Sequence, residues 1–129
     1  MRVTVCGLVR RGWWCELTAR TEAVDGRVAR VRAGRAGTPE GALVWIRASV
    51  RTLVYGFGAI EGARAQAWLE YGQWEAVMRL KSGEAYDFGA RLGGTSLSWS
   101  ARPALFVPLL ADCAASVRLE AAESGPSEP

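Results

Sequence analysis

The chain is 129 residues long, half of them apolar, with a formal net charge of +3, three cysteines and no histidine. This length sets one domain with room for a proper core, and no run approaches the ~18 apolar residues of a membrane span. Without histidine, Ser-His-Asp and Cys-His nucleophiles and His-ligated metal sites are excluded; without a Cys-x-x-Cys pair, a zinc ribbon or thioredoxin-like redox site is unsupported.

Residues 3–9 read as a short apolar strand, because they carry neither the apolar segment nor the cleavage site of a leader peptide. Four Gly-terminated triplets then punctuate the chain: Arg10-Arg11-Gly12, Val24-Asp25-Gly26, Ile60-Glu61-Gly62 and Lys81-Ser82-Gly83. Each lies between stretches of period-2 alternation. A three-residue hairpin loop commonly ends on a left-handed residue, which Gly adopts without a Cβ penalty. The first loop sets Val9 against Trp13 and Val5 against Leu17, and the second sets Ala19 against Val31 and Leu17 against Ala33. A two-residue Asp25-Gly26 turn would put Arg30 and Arg32 on the apolar face, so the pattern selects the longer loop.

Residues 42–59 are too long for one ordinary strand, and a bend or bulge near 47–51 is expected. The third loop sets Phe57 against Ala65. A Gly72-Gln73 turn sets Tyr71 against Trp74 and Ala67 against Met78. The fourth loop sets Met78 against Tyr86, and a Gly93-Gly94 turn sets Phe88 against Trp99 and Tyr86 against Ala101. The stretch 103–122 reads as a last strand, through the alternation of Cys113, Ala115, Val117 and Leu119, or as a short Ala-rich helix. Residues 123–129 are polar, and a disordered tail is expected there.

The fold expected is all-β: an antiparallel up-and-down meander of eight or nine strands, closed or nearly closed into a barrel over residues 1–122. In topology alone it is similar to avidin-like, lipocalin-like and allene-oxide-cyclase-like barrels; no motif of those families accompanies the pattern.

Trp13, Tyr55, Tyr71, Trp74, Tyr86, Phe88 and Trp99 project to the inner face of that barrel, interleaved with alanines. They are the candidate walls and hydroxyl donors for an apolar or polycyclic small molecule, carried or cyclised by shape rather than by a strong nucleophile. The alternative is a structural subunit of a homo-oligomeric assembly of the coat, tail or sheath type. It would associate through the outward Leu8, Trp14, Trp45, Trp68 and Val77, large apolar groups a monomer would rather not expose. A third reading, nucleic acid on a face with Arg20, Arg30, Arg32 and Trp14, is the least expected, since one Trp is a thin stacking platform.

No metal or cofactor is expected. Gly56, Gly58 and Gly62 lack the spacing and the Lys-Ser/Thr of a phosphate loop. Glu70 and Glu75 become cross-strand neighbours, which reads either as an acid–base pair or as an exposed charge lattice. Charge is uneven: residues 1–60 hold ten Arg and four acids, and residues 61–129 hold six bases and nine acids. Cys6, Cys15 and Cys113 read as free thiols of a reducing compartment, so a cytoplasmic chain is expected.

Overall fold

The computed structural model describes residues 9–21 and 26–107. Its main compact unit is Arg11–Ala104; Val9, Arg10 and residues 105–107 belong with the chain ends to a second unit. The leading arm of the first expected hairpin, Leu8, Cys6, Cys113, residues 108–122 and the tail lie outside the described residues.

The barrel is corrected to an open four-stranded antiparallel sheet in the order β2-β1-β4-β3, with helices inserted between β2 and β3. Strands β1 (Arg10–Thr21) and β2 (Val28–Ala36) form one hairpin, and β3 (Tyr86–Leu92) and β4 (Thr95–Phe106) form the other. Arg10, Arg11 and Gly12 are part of β1, so no loop falls there.

In β1–β2 the pairing is Ala19 with Ala29 and Leu17 with Arg32, two residues and one residue short of the expected register. The phase change is a bulge that leaves Val31 unpaired between Thr18–Arg30 and Leu17–Arg32. Past the bulge the strand turns over, so Arg32, Gly34 and Ala36 share the helix-facing side with Leu17, Cys15 and Trp13. Gly34 is required there: a Cβ would stand 2.5 Å from the Trp45 indole nitrogen. In β3–β4 the pairs Tyr86–Ala101, Phe88–Trp99, Ala90–Leu97 and Leu92–Thr95 follow the register read from the sequence, around a Gly93-Gly94 turn.

The expected bent strand at 42–59 is a helix, α1 (Pro39–Leu53). Thr38 caps it, its hydroxyl accepting from the Gly41 N–H at 2.9 Å, and Pro39 occupies the first turn, where no amide hydrogen is needed. Leu43, Ile46 and Val50 recur at helical spacing and are buried. A 3₁₀ turn (Val54–Gly56) leads into α2 (Ala59–Ala67), a π-helical turn (Trp68–Gly72) and α3 (Gln73–Lys81), which run as one continuous helical stretch. The expected Ile60-Glu61-Gly62 and Gly72-Gln73 turns therefore lie inside helix. Helix formers dominate this stretch, and Ala65, Trp68, Leu69, Ala76 and Leu80 supply its buried side.

Helix α3 ends in a Schellman motif: Gly83 N–H donates to Leu80 O and Glu84 N–H to Arg79 O, with Gly83 at φ +87°. Gly83 thus has the left-handed conformation expected of it, at a helix end rather than in a hairpin. Gly26 is left-handed too, at φ +63°.

The core lies between the helices and one sheet face, and joins Cys15, Leu17, Ile46, Val50, Phe57, Trp68, Leu80, Tyr86, Phe88, Leu97 and Trp99. Of the residues expected inside, Ala67, Val31 and Met78 are exposed. Arg20, Arg30, Arg79 and Arg91 are exposed. Among the described residues no helix is long and apolar enough to cross a membrane.

The π-turn is where this packing is tightest. A Cβ on Gly72 would meet the Trp68 ring at 2.3 Å, and that ring is held by stacking on Phe88 and by its N–H bond to the Tyr86 hydroxyl. Gly72→Ala is therefore expected to destabilise the protein by ~1–3 kcal/mol, as overpacking does. Helix propensity alone gives the opposite sign, since Ala is favoured over Gly by about 1 kcal/mol. Urea unfolding measures the difference; a raised midpoint would contradict the packing.

Candidate functional site

The aromatic residues read as one inner wall divide into two groups. Tyr86, Phe88 and Trp99 are buried in the core, joined by Trp68 and Phe57, and Trp13 packs half-buried against it. Tyr55, Tyr71 and Trp74 are on the surface, at 91%, 75% and 71% exposure.

The rings of the core satisfy one another, whereas the buried Trp13 indole N–H has no partner among the described residues. Trp68 stacks on Phe88 with ring centroids 4.5 Å apart, and Phe57 meets Trp99 edge-on at 6.4 Å. The Trp68 indole N–H donates to the Tyr86 hydroxyl at 2.8 Å, and the Trp99 indole N–H donates to the Ser49 hydroxyl at 2.8 Å. The Tyr86 hydroxyl, expected to aim at a ligand, is thus an acceptor inside the core. Trp68, expected to face outward in a subunit interface, is one of its centres, and Val77 packs against it.

The thiol of Cys15 is fully buried, and burial pushes its pKa up to about 11, so it is protonated at neutral pH and a poor nucleophile. Among the described residues no three His, Cys, Asp or Glu side chains gather into a metal-binding group. Glu70 and Glu75 share one helical stretch instead of facing each other across strands, and Glu75 pairs with Arg79 at 3.0 Å.

The arginine-rich half of the chain maps onto the β1–β2 hairpin. Its described residues hold Arg10, Arg11, Arg20, Arg27, Arg30, Arg32 and Arg35 against Glu16 alone. Arg30 lies over the Trp14 ring at 5.7 Å and bridges to Glu16 at 3.1 Å, while Arg32 lies over Trp45 at 6.0 Å. The Trp14 indole N–H donates to Glu16 at 2.7 Å; this bond, with Arg30 and Arg102 nearby, holds the Glu16 carboxyl below its ordinary pKa. The β2 bulge sends Arg30 and Arg32 to opposite sheet faces, so the four residues of the nucleic-acid reading do not form one platform.

The concentrated surface feature is on the long helix. Tyr71, Trp74 and Met78 follow at spacings of three and four, and all three are exposed, Met78 at 65%. Residues so spaced share one helix face. The sequence holds the signal, but period-2 alternation through Ala67, Leu69 and Tyr71 masks it. The face is positioned from within: Arg47 on α1 donates to Leu69 O at 2.9 Å and to Gln73 Oε1 at 2.8 Å, clamping the π-turn just before it. Exposed Tyr and Trp rings offer apolar area with a polar tip at hand.

No known protein family, curated protein or solved structure matches this chain.

If Tyr86 serves the core, Tyr86→Phe removes the acceptor of a buried indole N–H. The expected result is a loss of ~1–3 kcal/mol in stability, the cost of a buried unsatisfied donor. An unchanged or raised melting temperature would contradict it.

Proposed function

We propose that this chain is a non-catalytic subunit of a protein assembly, docking through the outward face of its long helix. The observation that carries the reading is the exposure of Tyr71, Trp74 and Met78 on one face, at 65–75% each. Aromatic residues and Met are enriched in the cores of protein interfaces, and contiguous apolar patches are uncommon on free surfaces. The reading keeps the assembly role that the sequence suggests and moves its surface, because Trp68 and Val77 belong to the core side. The ligand-carrier expectation loses the lumen it required, since the rings meant to wall it pack on one another or lie at the surface.

Position-specific photo-crosslinking in the cells that make the chain tests this reading. A photoreactive residue replacing Trp74 is expected to yield protein adducts, whereas one replacing Tyr55, more open still but on the 3₁₀ turn, is not. Absence of protein adducts from position 74, or equal yields from both positions, would contradict it.

A further inference from the structure

We propose that the partner on this face is a second copy of the chain, with the two long helices antiparallel across a two-fold axis; this rests on the docking reading above. The order of charge along the helix supports it. Around the apolar face the acids Glu70 and Glu75 come first and the bases Arg79 and Lys81 come after them. In helical projection Glu70 and Lys81 flank the stripe on one side, and Glu75 and Arg79 on the other. An antiparallel two-fold keeps each flank beside the same flank of its mate and reverses its direction. Acid then meets base on both sides, with Trp74 over Met78 of the mate. A parallel arrangement would set like charges together.

The existing pairs of these side chains do not prevent the exchange. Glu75–Arg79 and Lys81–Glu40 are surface bridges of 3.0 and 3.1 Å with all four side chains more than half exposed, and such pairs are weak.

The area fits a reversible dimer. Large side chains of this kind bury ~150–250 Å² each when fully covered, so at 65–75% exposure the three offer roughly 400 Å² per copy, about half of the ~800 Å² per partner of a standard interface. Ala67 and Ala63, exposed on the same stripe one and two turns before Tyr71, extend it and allow close approach. The β2 edge is the competing surface. Pairing it with its own copy would bring Arg30 and Arg32 against the same residues, and like charges across strands repel.

Sedimentation equilibrium of the purified full-length chain over a wide concentration range tests the proposal. A reversible dimer is expected. Trp74→Ser should weaken it at least about tenfold, the effect of losing ~1.4 kcal/mol, while Tyr55→Ser leaves it unchanged. Glu75→Arg and Arg79→Glu should each weaken it, and the double swap should restore it, because both the intrahelical pair and the pair across the axis are then rebuilt with reversed sign. Far-UV circular dichroism of each variant separates loss of association from loss of helix. A monomer at every concentration overturns self-pairing, and leaves the docking reading standing if position 74 still crosslinks to another protein. A dimer that survives Trp74→Ser places the self-interface elsewhere and overturns pairing through this helix face; the docking reading then stands or falls on the crosslinking at position 74.

Discussion

Trp68 is the residue on which the rest of this structure depends. It lies at the start of the π-turn, stacked on Phe88 of β3, with its indole N–H on Tyr86 and its ring against the bare backbone of Gly72. One side chain thus joins the helical layer to the sheet by area, by a buried hydrogen bond and by shape. The wider turn also sets the phase of the helix on either side of Gly72: it brings Leu69 and Ala76 to the core side and leaves Tyr71, Trp74 and Met78 outside. The core contact and the candidate docking face are two consequences of the same local geometry.

The two edges of the open sheet are treated differently. At β3 the helix supplies what a neighbouring strand would. Arg64 donates to Gly89 O and the Arg91 N–H donates to Glu61 Oε1 at 3.2 Å, while Arg64 and Glu61 hold each other at 2.9 Å. One ion pair, three residues apart on α2, therefore occupies a donor and an acceptor of the strand edge. At β2 the bulge at Val31 and the arginines around it make continuous pairing unfavourable. With both edges guarded among the described residues, the exposed apolar helix face is the surface proposed for docking.

The β3–β4 hairpin is legible in the sequence because its alternation is strict and Gly93-Gly94 leaves one economical register, so Tyr86, Phe88 and Trp99 face inward as read. The helices are not. Residues 42–59 carry Leu43, Ile46 and Val50 at helical spacing behind a Thr38-Pro39 start, but apolar residues between them also satisfy a strand pattern. From 63 to 71, Ala63, Ala65, Ala67, Leu69 and Tyr71 at every second position imitate alternation and mask the helical spacing of the buried Ala65, Leu69, Ala76 and Leu80. Gly83 shows how a correct local inference can serve a wrong element: left-handed glycine closes a helix as well as a hairpin. The candidate face suffers most, since the same false period places Tyr71, Trp74 and Met78 inside.

Covalent labelling of the native protein by hydroxyl radicals, with oxidation read at each tryptophan by mass spectrometry, tests the central claim that the π-turn puts Trp68 inside and Trp74 outside. On dilute protein, where self-association is minimal, Trp74 is predicted to oxidise readily and Trp68 and Trp99 to be protected. Faster oxidation of Trp68 than of Trp74, the order a strand through these residues would give, would contradict the account.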